Sequence, residues 1–240
     1  MITFSVSGNI DPLLKCHLEQ GDVLYCESSA MVAMDECLSL VGKTRGGVFN
    51  ALGRKFLNAE SFFQQEIQAK LGEGDVLLSP ELAGDVKILE VGQREYVICD
   101  GCYLANTPGV HIGTKTQGIG KMLFAKTGSG IRGFFIMHAT GEGQLAVSGY
   151  GMSHFIDVTP DHPVFVNNGH LVAWDSSLKY EVAVNIGHKG FLGKVVESFI
   201  SGSGIVLKFS GTGRIVVCSR NRQTFLDWVQ TNIDPSKLAK

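Results

Sequence analysis

The segment Val97–Val110, VICDGCYLANTPGV, carries Cys99 and Cys102 in a Cys-x-x-Cys spacing around Asp100-Gly101. Read alone, it suggests a redox pair or half of a metal site. Two other segments change that reading, because they align with it without a gap: YCESSAMVAMDECL, Tyr25–Leu38, and FVNNGHLVAWDSSL, Phe165–Leu178. Ala33, Ala105 and Ala173 share one column, and Val32, Leu104 and Val172 share the column before it. Ser28-Ser29, Asp100-Gly101 and Asn168-Gly169 occupy the turn columns, and Leu38, Val110 and Leu178 close the unit. A second marker follows each segment: a Gly-x-Gly at Gly72/Gly74, Gly141/Gly143 and Gly211/Gly213. Both markers recur with a period of about 70 residues, the signature of an internal repeat.

Each unit reads as β structure. Gly-x-Gly supplies turns that need positive φ, and short apolar runs follow it: DVLLS, QLAVS and RIVVC. Asp-Gly and Asn-Gly between apolar runs predict type I′ hairpins, since both central residues of that turn need positive φ. Helix signals are confined to Phe49–Phe63 and to Asn221–Asn232, where Phe225, Leu226, Trp228 and Val229 mark an amphipathic terminal helix. No Pro-rich, Ser-rich or charged linker separates the units, and about 70 residues bury a core poorly alone. The expectation is one all-β domain over residues 1–240, with repeats at 1–74, 75–143 and 144–220 and a helical segment within 221–240. A pseudo-threefold β-barrel or short prism would share one core and hide the strand edges.

Twenty-one basic residues against 23 acidic ones give a net charge of −2, so the composition carries no electrostatic footprint for nucleic acid. No apolar run approaches the ~20 residues of a membrane-spanning helix. The opening MITFSVSGNIDPLLK lacks the basic-then-apolar pattern of a signal peptide and is not a transit peptide. Six cysteines at irregular spacing suit a reducing compartment, where they act as small apolar residues. A cytoplasmic protein with free thiols is expected.

The stretches GFFIMHATGEGQLAVSGYG (Gly133–Gly151), NNGHLVAWDSSLKYEV (Asn167–Val182) and ESFISGSGIVLKFSGTGRIVV (Glu197–Val217) resemble the altered inheritance of mitochondria protein 24 family, from about Phe4 to Arg220. The resemblance implies a fold similar to the tryptophan RNA-binding attenuation protein, an arrangement of double-stranded β-helix type, triplicated in one chain. It brings no catalytic residues. Mitochondrial members are linked to inner-membrane organisation, a role that does not carry over to a sequence without a transit peptide.

The remaining motifs weigh against chemistry. The columns of Cys99 and Cys102 hold Glu27 and Ala30 in the first segment and Asn167 and His170 in the third, so the scaffold does not require thiols there. A zinc site needs more ligands, and no second Cys-x-x-Cys exists. His154, Asp157, Asp161 and His162 are close in sequence, but strand alternation divides them between faces and Pro160 interrupts the run. Gly128, Gly130 and Gly133 match G-x-G-x-x-G, yet a strand follows where the dinucleotide motif needs a helix. No G-x-S-x-G elbow is present. Basic residues recur in the connectors: Lys43, Arg45, Arg54 and Lys55; Lys115, Lys121 and Lys126; Lys189 and Lys194. Such a ring would suit an anion, a lipid headgroup or RNA, with Phe124 and Phe191 as stacking candidates.

The leading expectation is therefore a non-enzymatic scaffold or binding module, without cofactor, that self-associates, with a trimer favoured. A protein or membrane-surface partner is the next expectation. The alternatives are an RNA or anionic-surface binder using the Lys/Arg ring, and a cupin-like metal or small-molecule binder.

Overall fold

The structure is a computed structural model and describes residues 1–43, 64–113, 136–182 and 206–233. The first strands are β1 (Thr3–Ser7), β2 (Leu13–Leu18), β3 (Val23–Glu27), β4 (Met31–Met34), β5 (Leu38–Lys43), β6 (Gln64–Ala69) and β7 (Gly74–Leu78). The next are β8 (Gly84–Val91), β9 (Tyr96–Cys99), β10 (Tyr103–Asn106), β11 (Val110–Gly113), β12 (Ile136–Gly141) and β13 (Gly143–Tyr150). The last are β14 (Ser153–Val158), β15 (Val164–Asn167), β16 (Leu171–Asp175), β17 (Lys179–Val182), β18 (Val206–Ser210) and β19 (Gly213–Cys218). Helix α1 (Arg222–Asn232) follows, its N-terminal amides of Gln223 and Thr224 capped by the Asn221 side chain. The expected terminal helix is thus present; the expected helix at Phe49–Phe63 lies outside the described residues. No described helix is long and apolar enough to cross a membrane.

The strands form four open sheets, in the orders β1-β2-β7-β4, β5-β6-β3-β10-β13-β8, β11-β12-β9-β16-β19-β14 and β15-β18-β17. Adding six to each strand number of the second sheet reproduces the third. Three apolar cores lie between successive sheets. The first packs Leu14, Cys16 and Val76 against Leu24, Ile67 and Leu104. The second packs Tyr103, Leu145 and Val147 against Ile98, Val172 and Val216. The third packs Val97, Trp174 and Ile215 against Val166, Leu207 and Phe209.

Burial patterns follow from this layering. Strand β2, in an outer sheet, alternates buried and accessible positions. Strands β9, β10 and β16 are buried throughout, because the inner sheets have a core on each face. Alternation then sends Tyr96 and Ile98 into the second core and Val97 and Cys99 into the third.

Two expectations need correction. Among the described residues no sheet closes into a barrel: each of the four keeps two edge strands. The apolar faces are covered by face-to-face stacking instead, which leaves no need for a sheet to curl onto itself. The turn columns also do not close hairpins. Strand β9 lies in the third sheet and β10 in the second, and β3 and β4 are likewise in different sheets. Each turn is a corner that carries the chain from one sheet to another. Only one residue per corner is left-handed, Ser29 at φ 71° and Gly101 at φ 69°, whereas a type I′ turn needs two. At the third position the corner is a 3₁₀ turn, Asn168–His170, with the Gly169 amide donating to the Asn167 side chain at 2.9 Å.

In the strand after each corner, one residue is pushed out of register. The shifts fall between Met31 and Ala33 on β4, Tyr103 and Ala105 on β10, and Leu171 and Ala173 on β16. The extra residues are therefore Val32, Leu104 and Val172, one column of the sequence alignment. Such bulges kink a strand and re-aim side chains. Here they let two consecutive residues, Leu104 and Ala105, enter the same core.

Candidate functional site: thiols, a cleft and two open edges

Of the nine basic residues singled out from sequence, only Lys43 falls among the described residues, as the last residue of β5, its backbone opposite Gln64. Arg45, Arg54, Lys55, Lys115, Lys121, Lys126, Lys189 and Lys194 lie outside them, as do Phe124, Phe191 and the Gly128–Gly133 motif.

Cys99 and Cys102 flank the corner turn, where the Cys102 amide donates to the Cys99 carbonyl at 3.2 Å. Burial pushes both thiols well above the ordinary range, with like-charge repulsion between neighbouring groups adding to it. Burial likewise raises Cys16, and holds Cys26 at about 12. A thiol is nucleophilic and metal-ligating only as the thiolate, so these groups behave as apolar packing. At neutral pH, alkylation of Cys16, Cys26, Cys99 and Cys102 is expected to be at least about tenfold slower in the folded protein than in denaturant, since each pKa unit removes about nine-tenths of the thiolate. Mass spectrometry of iodoacetamide-treated protein measures this; labelling of Cys99 at the denatured rate would contradict it.

His154 and Asp157 lie three residues apart on β14, and Asp161 and His162 follow in the turn closed by the Thr159–His162 bridge. Asp157 is committed to Arg214, whose Nε donates to Oδ1 at 2.7 Å. Among the described residues no group of three His, Cys, Asp or Glu converges as a metal site.

A cleft of about 540 Å³ opens beside the edge strands β8 and β14, lined by Leu89, Val91, Tyr96, Phe155, Arg94 and Arg214. Arg214 lies 5.0 Å above the Phe155 ring and is paired with Asp157, while Arg94 stands 3.7 Å from Asp175. Both guanidiniums thus have carboxylate partners, which offsets their attraction for a ligand anion.

The feature that sequence reading missed is at the ends of the stack. Strand β4 is an edge of the first sheet and β15 an edge of the last. Both carry apolar residues facing out: Val32 is 54% exposed and Phe165 48%. In the same alignment columns Leu104, Val172 and Val97 are 0%, 0% and 4% exposed. The alignment made this column visible; only the strand pairing tells which copy is uncovered.

Stacked open sheets, joined by corners and ended by unpaired apolar edges, define an all-β protein of stacked-sheet architecture. The chain belongs to the family described as mitochondrial biogenesis AIM24, whose model matches residues 4–220. It is 30% identical over 220 residues to an uncharacterized protein of Streptococcus pyogenes serotype M6, a match covering 89% of this chain and 84% of that one. A crystal structure of a Streptococcus pyogenes protein, 26% identical, superposes with a TM-score of 0.74, covering 97% of this chain and 100% of that chain.

Proposed function

We propose that this protein is a non-enzymatic scaffold that self-associates, built from one six-strand unit used three times in the chain. The observation carrying this reading is the pair of open, apolar-faced edges at β4 and β15, a liability that folded proteins blunt or cover. The recurrence of strand order and of the bulge column supports the threefold unit. Thiols held protonated by burial and arginines already paired with carboxylates fit a structural role better than catalysis. The trimer is the favoured assembly, because a three-unit chain then repeats a symmetric pattern. Multi-angle light scattering on the purified chain tests the reading. A mass that is a multiple of the monomer is expected at micromolar concentration, and a monodisperse monomer would refute it.

A further inference from the structure

The two inner sheets are each assembled from two halves. In the second sheet, β5-β6-β3 meets β10-β13-β8 through the β3–β10 pair; in the third, β11-β12-β9 meets β16-β19-β14 through β9–β16. Both junctions are antiparallel and share a register. Cys26 faces Ala105 and Tyr25 faces Asn106 in one; Ile98 faces Ala173 and Val97 faces Trp174 in the other. The alignment columns place Cys26 with Ile98 and Val166, and Ala105 with Ala173 and Ala33. A third junction of this kind would pair Val166 with Ala33 and Phe165 with Met34.

That junction is not made among the described residues. The last sheet, β15-β18-β17, ends at β15, and the first, β1-β2-β7-β4, ends at β4. Two sheets lie between them in the stack, so one chain presents both halves without joining them. Resting on the self-associating reading above, we propose that β15 of one copy pairs antiparallel with β4 of a second copy in the register Val166–Ala33 and Phe165–Met34. The three-stranded and four-stranded outer sheets then become one continuous sheet like the two inner ones.

The cores say where the side chains go. Leu104, from the half supplied by β10, sits in the first core, and Val172, from the half supplied by β16, sits in the second. By the same step Val32 of the second copy enters the third core of the first copy, beside Val166, Phe209 and the partly buried Val164. In the isolated chain Val32 and Ala33 instead stand exposed on the outer face of the first sheet. The occupant is thus a second copy of this chain, since it alone brings the bulged edge that matches the two internal junctions. The contact is head-to-tail: each copy uses β15 toward one neighbour and β4 toward the other. Such a contact closes into a ring, or runs on as a filament if the rotation per step does not close.

The test uses two full-length variants, Val32→Lys and Phe165→Lys, with Val6→Lys on the far edge strand β1 as the control. All three positions are exposed in the monomer, so native far-UV circular dichroism and unchanged melting of the monomeric fraction are required of each. Light scattering is expected to show Val32→Lys and Phe165→Lys as monomers and Val6→Lys at the parent mass. Mixed in equal amounts, the two lysine variants are expected to form a dimer and stop there. The first contributes an intact β15 and the second an intact β4, which makes one junction only. Retention of the parent mass by either variant overturns the edge pairing while leaving self-association standing. Monomers that fail to dimerise on mixing overturn the head-to-tail arrangement. A wild-type monomer overturns both readings.

Discussion

Phe209→Ala is expected to destabilise the fold by about 4 kcal/mol, the middle of the range for truncating a buried aromatic ring. Phe209 is fully buried in the third core. Its ring lies 5.7 Å from that of Trp174 and 5.8 Å from that of Tyr180, and Trp174 and Tyr180 are themselves 5.6 Å apart. Removing it leaves a cavity walled by two rings that pack edge-on or tilted against it. The loss includes their mutual attraction as well as the transfer of the phenyl group. Strand β18, which carries Phe209, is the central strand of the last sheet, between β15 and β17. Its backbone is held on both sides and does not collapse into the gap. Urea unfolding followed by tryptophan fluorescence measures the change, and a melting temperature lowered by ~12 °C should accompany it. A loss below about 1 kcal/mol would show that the third core is not a packed one. Because Val32 of a neighbouring copy is proposed to enter this core, Phe209→Ala should also weaken assembly, whereas a loss of stability alone would place Phe209 away from the junction.

The second large effect is a pH dependence centred on Glu27. Burial raises its carboxyl to about 7, with the Glu81 carboxylate adding to the shift, the Arg222 guanidinium opposing it, and Asp100 adding again. The folded state therefore holds a proton on Glu27 that the unfolded chain, with a pKa near 4.5, has released. Where the folded state binds more protons, stability falls as pH rises. The favourable contribution is complete below about pH 4.5 and is lost as pH rises toward 7. The full separation corresponds to about 3 kcal/mol by linkage, and partial solvent access lowers the expected loss to about 2 kcal/mol. Glu27→Gln keeps the shape and removes the proton. Its unfolding free energy, subtracted from that of the wild type at pH 5, 6, 7 and 8, should show the variant relatively more stable by about 2 kcal/mol at the alkaline end. A difference that stays constant across this range would place the titration elsewhere. Arg222 opens α1 and bears on Glu27, so the same carboxyl also reports whether that helix is docked.

Much of the strand content was legible from local chemistry. The alternating pattern of Leu14, Cys16 and Leu18 and the continuous apolar runs at Tyr96–Cys99 and Leu171–Trp174 each mark a strand, and the difference between them already distinguishes half-buried from fully buried strands. The terminal helix was legible from its apolar positions Phe225, Leu226, Trp228 and Val229, and the structure adds the Asn221 cap. Strand partners were not. A Cys-Asp-Gly-Cys corner and a hairpin turn use the same residues, because Gly101 supplies one left-handed position in either case. Whether the strands on each side pair with each other is decided by which faces must be covered.

The candidate site divides along the same line. That the scaffold does not require thiols at Cys99 and Cys102 followed from the columns they share with Glu27, Ala30, Asn167 and His170, and only the fold shows that burial raises both thiols. The exposure of Val32 did not follow, since Leu104 and Val172 occupy the same column and are fully buried. By itself the sequence determined the β content, strand positions such as Tyr96–Cys99 and the terminal helix. All of these depend on residue type and on interactions within a few positions along the chain. Only the tertiary structure decided that the sheets stack open rather than close, and that β4 and β15 are edge strands among the described residues. Those outcomes depend on long-range pairing, in which equivalent segments compete for the same neighbours and these two are left at sheet edges.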